Sequence, residues 1–242
     1  MPNAVPMPSA NHTIPKSQRF VPPFHNGDRM DQKTFHALYE TTPDGFKAEL
    51  IGGIVYMSSP ASRFHAAPHQ RLASWLGNYH DATDGTEALI EISSVLSDES
   101  EPQPDLALII APEAGGARFD DRGYLLDPPH FVIEVAYSSA AIDLHAKKRD
   151  YDVNGVREYV VVVVPTKTVH WFVRGKAGFE ERKPDAAGVL KSKVFPGLWL
   201  LPDAVFDRRA TRLLATLRLG LASPEHAKFA AKLQAKLAKK AK

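Results

Sequence analysis

The chain has 242 residues, 44% of them apolar and 24% charged, which is enough to bury a sizeable core and excludes a fully disordered chain or a coiled coil. Its formal charge of +2 averages over unlike regions: residues 1–27 carry +2, residues 28–222 hold 22 basic against 27 acidic side chains, and residues 223–242 carry +5. The sequence contains no cysteine, which excludes disulfides, thiol nucleophiles, Cys-ligated zinc and iron–sulfur clusters, and no window reaches the roughly 18–20 unbroken apolar residues of a membrane span.

Six prolines and no helical or strand period mark residues 1–27 as a disordered arm. Asp31 is placed to cap a short helix through Phe35, Leu38 and Tyr39, closed by the turn at 41–45. Alternation at 46–51, then Gly52-Gly53 and the apolar run 54–57, predicts a hairpin. Leu72, Trp75, Leu76 and Tyr79 recur at helical spacing, so an amphipathic helix is expected over 65–79 despite Pro68. Strands are expected at 88–92, 105–110 and 131–136, followed by a helix over 140–153 capped by Ser139 and stopped by Asn154-Gly155. The six apolar residues 159–164 read as a central strand covered on both faces, with a further strand at 170–173 and a packed edge at 195–200. A helix over 203–219 and a basic helix after Ser223 complete a mixed α/β (α+β) reading. It comprises an arm at 1–27, one domain at 28–205 and a helical extension with a basic tail at 206–242.

Three acids sit in apolar strand neighbourhoods: Asp105 before Leu-Ala-Leu-Ile-Ile, Glu134 inside Phe-Val-Ile-Glu-Val, and Glu49 inside Ala-Glu-Leu-Ile. An ionised carboxylate in such surroundings costs several kcal/mol unless it is paired or bound to a cation. If the strands holding Asp105 and Glu134 are neighbours, their oxygens suit a hard divalent ion, Mg2+ with Mn2+ as an alternative, rather than zinc. His65 and His69 have i, i+4 spacing but no third ligand, and Gly115-Gly116 is followed by Ala-Arg where a phosphate-binding loop needs Lys-Ser or Lys-Thr, so no small-molecule cofactor is expected.

Seven pieces occur in a fixed order. They are Glu49-Leu-Ile-x-Gly53, Ser59-Pro60 with His65, Pro104-Asp105-Leu106, Ile133-Glu134-Val135, Asp143-x3-Lys147-x3-Tyr151, Gly155-Val-Arg-Glu-Tyr159 and Phe195-Pro-Gly-Leu198. In this order the chain resembles the Uma-type family of the PD-(D/E)XK restriction-endonuclease-like superfamily, over about residues 30–205. The resemblance implies a mixed central sheet flanked by helices, a DNA-cleaving activity, and Asp105 and Glu134 as Mg2+ ligands with Glu49 completing the shell directly or through water. The superfamily's usual lysine, two residues after the second acid, is Ala136 here. The family pattern maps the lysine to Lys147 instead, with Lys148 competing from a different stripe of the same helix. Lys147 would stabilise the attacking water or the developing charge. Asp143, four residues before Lys147, is placed to orient it, Tyr151 shares their stripe, and His65 is a candidate phosphate contact or structural histidine.

By analogy a homodimer is expected, since cutting both strands commonly uses two sites, and the absent cysteines and leader fit a cytoplasmic chain. Two other classes stay open: a nucleic-acid-binding protein on a degenerate nuclease fold, and a non-catalytic interaction protein. The basic tail has three readings: tracking a DNA backbone, lying on an anionic membrane through Phe229, Leu233 and Leu237, or a solvated end.

Overall fold

A computed structural model describes residues 20–58 and 62–240. The arm up to residue 19, the Ser59-Pro60 piece and the last two residues of the tail lie outside the described residues.

Asp31 caps α1 (Gln32–Tyr39), its carboxylate accepting the Thr34 N–H at 2.8 Å. Gly52 and Gly53, at φ 56° and 73°, turn β1 (Ala48–Ile51) into β2 (Ile54–Met57), the backbone that lets a two-residue hairpin follow strand twist. Phe24, Phe35, Leu50 and Val55 form a small core beneath this hairpin. Residues 20–27 therefore depart from the disordered arm assigned to 1–27: Phe24 is buried, and the Gly27 N–H donates to the Val55 carbonyl at 2.8 Å. Pro22 and Pro23 are compatible with such an irregular segment, which needs few backbone donors.

Six strands make the main sheet: β3 (Thr86–Ile90), β4 (Leu106–Ile110), β5 (Phe131–Ala136), β6 (Glu158–Val163), β7 (Thr168–Gly175) and β8 (Gly178–Glu181), in that spatial order. Only β5 and β6 are parallel. Their crossover is a helix in which a π-helical segment, Ile142–Lys147, runs directly into α3 (Lys148–Val153), with Gly155 at φ 96° beyond its end. A two-stranded ribbon, β9 (Leu190–Lys191) and β10 (Trp199–Leu200), lies outside the main sheet.

Side chains alternate across the pleat. Phe131, Ile133 and Val135 of β5, with Leu106 and Leu108 of β4, meet Leu72, Trp75, Leu76 and Tyr79 of α2 (Arg63–Asp81) in the largest core. Val132 and Ala136 point the other way, to Tyr151, Tyr159, Val161 and Phe172. The same alternation assigns Glu134 to this second face.

The helix expected over 203–219 is broken into a 3-10 turn, Pro202–Phe206, and α4 (Thr211–Leu221). Between them the Asp207 carboxylate accepts two Arg212 N–H groups at 2.7 Å. Val205, Leu213 and Leu217 join the α2-side core, so residues from 206 onward continue the domain rather than append to it. α5 (Pro224–Lys240) also docks on the body: Leu233 is buried, Phe229 meets Phe195 edge-on at 6.1 Å, and Gly85 lacks a Cβ where Ala114, Leu233 and Leu237 close in. Its apolar stripe is thus used against the protein itself and is not left for a membrane, while Lys228, Lys232 and Lys236 stay exposed. Among the described residues no helix is long and apolar enough to cross a membrane.

Candidate active site

The β4–β5 ladder ends at Leu106 opposite Ile133, and Asp105 and Glu134 are the next residues beyond that last pair. Asp105 Oδ2 accepts the Val135 N–H at 2.7 Å and lies 3.3 Å from His65 Nε2. His69 Nε2 is 3.1 Å from the Asp105 carbonyl oxygen, so two turns of α2 grip this bend.

Glu134 Oε1 accepts from the Lys147 ammonium at 3.0 Å and from the Tyr151 hydroxyl at 2.9 Å. Lys147 Nζ also lies 2.7 Å from Glu49 Oε2, and Glu49 Oε1 accepts the Gln103 N–H at 2.7 Å. Glu49 reaches this point because β1 bridges to the segment leading into β4, with Leu50 and Glu101 exchanging backbone hydrogen bonds.

The helix delivers its stripe through the π segment. In an α-helix each i+4 step overshoots a full turn by about 40°, whereas the wider π turn undershoots it. One of each keeps Asp143, Lys147 and Tyr151 aligned and buried. Of the two candidate lysines, Lys147 enters the pocket, while the Lys148 ammonium sits 4.0 Å over the Phe172 ring. The ion pair expected between Asp143 and Lys147 is replaced by other contacts. Asp143 Oδ2 accepts the Ser139 hydroxyl at 2.6 Å, and the lysine runs on to the sheet acids.

Charge is unevenly matched here. Glu49, Glu134 and Asp143 are buried, Asp105 is partly so, and Lys147 is the buried cation among them. Burial pushes the Glu134 carboxyl well above its usual range, and the negative charges of Asp105, Asp143 and Glu49 add to this against the pull of Lys147. Burial opposes the charge on Lys147, but Glu134, Glu49 and Asp143 together hold its amine well above the ordinary value. Burial also raises Asp143. Burial pushes Asp105 up as well, yet its bonds from His65 and the Val135 N–H leave it lowered. The bond to Asp105 raises the His65 imidazole in return.

This donor set fits a hard divalent cation. All the acids offer oxygen, the pocket carries surplus negative charge, and Asp105 Oδ1 and Glu134 Oε2 accept no hydrogen bond among the described residues. Magnesium characteristically takes one or two carboxylates and leaves its other positions to water and phosphate. Among the described residues no three His, Asp or Glu side chains form a ready-made metal cluster, and both Glu49 oxygens are already engaged.

Two supporting residues escaped the sequence reading. Asp150 accepts the Ser100 hydroxyl at 2.5 Å and the Gly52 N–H at 3.1 Å, tying the hairpin to α3, and burial pushes its carboxyl up to about 6. Gln103 fixes Glu49 through its backbone, which no side-chain pattern announces. Asp150 lies three residues after Lys147, a helical neighbour that the charged run 147–150 disguises as solvated.

The fold is similar to that of a crystal structure from Anabaena variabilis, described as "a putative nuclease belonging to DUF820". The TM-score is 0.53 at 15% identity, covering 75% of this chain and 97% of that one. The Uma2 family, described as "Putative restriction endonuclease", matches residues 33–204, and the chain belongs to that family. No curated protein matches the chain.

Proposed function

We propose that the chain is a metal-dependent endonuclease that hydrolyses DNA phosphodiester bonds at the Asp105–Glu134 end of the sheet. The observation that carries this reading is the buried Lys147 ammonium 3.0 Å from Glu134, with Asp105 bound to the N–H of Val135, the residue next to Glu134. Asp105 and Glu134 would hold Mg2+, or Mn2+, which when bound supplies positive charge to the phosphoryl oxygen and lowers the pKa of a bound water. Lys147, kept protonated by Glu134 and Glu49, donates to the attacking water or to charge developing on the phosphate. Tyr151 and Lys147 both bind Glu134 Oε1, which fixes the carboxylate and leaves its other oxygen available. Glu49 serves here as the positioning partner of Lys147, and His65 orients Asp105. Two copies would serve the two strands of a duplex, so a homodimer belongs to the proposal.

A second reading, nucleic-acid binding without turnover, is favoured by one observation: Lys147 already bridges Glu49 and Glu134 as an internal counter-ion. Plasmid and single-stranded DNA incubated with Mg2+ or Mn2+, against a chelator control, separate the two. Metal-dependent cutting should fall by at least about 10^3-fold in Asp105→Asn and Glu134→Gln. Cutting undiminished in both variants overturns the assignment, and binding without cutting selects the second reading.

A further inference from the structure

Close in the chain to His65 and Glu134, two large aromatic side chains lie in the open. Phe64 is 60% exposed and Tyr137 41% exposed, and their rings are stacked, with centroids 5.3 Å apart and planes within 11°. Other aromatics, among them Trp75, Tyr79, Phe131, Tyr151, Tyr159 and Phe195, are enclosed. Aromatic rings contribute much of a core's stability when buried, so a coplanar pair held in solvent calls for an explanation.

The pair comes from two elements that converge on the site. Phe64 precedes His65, whose imidazole contacts Asp105, in the first turn of α2. Tyr137 follows directly after β5, three residues beyond Glu134. Arg63, next to Phe64, is exposed and supplies a positive charge suited to a phosphate. Among the described residues neither ring stacks on any third aromatic, and both rings keep substantial exposed surface.

We propose that Phe64 and Tyr137 form a stacking platform for an unpaired base, so that the substrate carries a single-stranded nucleotide beside the scissile phosphate. This rests on the reading of the pocket as a nucleic-acid site. Every base has an apolar face, so stacking on aromatics is tolerant of sequence, and an adjacent cation tracks the backbone. A base inside a duplex has both faces covered by its neighbours and must leave the stack before it can use such a platform. The platform therefore selects single strands, frayed ends and flaps over intact duplex.

Binding in the presence of a chelator tests this without relying on catalysis. The probes are a fluorescent thymidine 20-mer and an abasic 20-mer of the same length, with the full chain and the variants Phe64→Ala, Tyr137→Ala and Tyr137→Trp. The wild type should prefer the thymidine strand by about tenfold. Each alanine variant should lose most of that preference while keeping its affinity for the abasic strand, and Tyr137→Trp should retain it. Equal binding of the two probes by wild type, or an unchanged preference in both alanine variants with unaltered melting temperatures, overturns the platform. Stacking-dependent binding with no cleavage in metal would sink the nuclease reading and leave the platform standing. Cleavage that proceeds without any base preference would do the reverse.

Discussion

The two faces of the central sheet are built from the same strands and do opposite things. On the α2 side, Phe131, Ile133 and Val135 enter a wholly apolar core that extends to α4 and the 195–200 segment. On the α3 side, the residues between them place Glu134 among Lys147, Tyr151 and Glu49, within a smaller cluster. The difference teaches that apolar packing and buried charge are segregated by a single residue step. The apolar face can support the cost of burying charge on the other, where the acids outnumber the cation.

The comparison breaks most sharply at Phe131. Phe131→Ala should lower stability by about 3–5 kcal/mol through the cavity it leaves, whereas Glu134→Gln replaces a carboxyl whose charged form burial already disfavours and should leave the melting temperature equal or higher. If thermal denaturation shows equal losses, the segregation is wrong. Lys147→Met strips Glu134 and Glu49 of their counter-ion and should cost about 3 kcal/mol or more. Adding Glu134→Gln to it should recover part of that loss, a non-additivity that a double-mutant cycle reads directly.

Glu158 sharpens the same point away from the site. It is fully buried at the start of β6, accepts the Ser192 hydroxyl at 2.5 Å and the Lys193 N–H at 2.7 Å, and burial pushes its carboxyl up to about 7. The folded state therefore holds a proton that the unfolded chain releases at lower pH, and stability contributed through this group falls as pH rises through that window. Glu158→Gln should remove the fall, giving a gain of up to about 3 kcal/mol at pH 8 and little at pH 4 in denaturant titrations.

The smallest effect belongs to α5. Alanine at Lys228, Lys232 and Lys236 should change stability by no more than about 0.5 kcal/mol. If the helix tracks DNA, these changes should also flatten the salt dependence of binding. A large loss of melting temperature would instead assign those lysines to packing.

Much of this organisation was legible in the sequence because a charge inside an apolar run has few innocent explanations. Asp105, Glu134 and Glu49 stood out for that reason, while helical spacing only put Lys147 and Lys148 on different stripes and the family resemblance favoured Lys147. Other features carry no such contrast. Glu158 opens an apolar run and reads as a solvated strand entry, although Ser192 and Lys193 arrive from 34 and 35 residues away to satisfy it. β8, Gly178–Glu181, ends in two glutamates and is an edge strand whose pairing with β7 outweighs its poor propensity. β3 stops at Ile90 rather than continuing, because Glu91 adopts φ 53°. Phe24 was hidden by its prolines, since composition cannot say that one phenylalanine has a pocket waiting for it.

The π turn before α3 makes the pocket sensitive to chain length as well as to residue identity. Deleting one residue within Ile142–Lys147 would restore ordinary α-helical winding. It would also swing everything on one side of the deletion by about 100° relative to the other. With α3 anchored by Tyr151 and Asp150, the mismatch would fall on Ser139 and Asp143; with the entry anchored, Lys147 would leave Glu134. The arrangement of Glu134, Lys147 and Tyr151 is thus protected by a frame, and indels in this helix should be far less tolerated than substitutions on its outer surface.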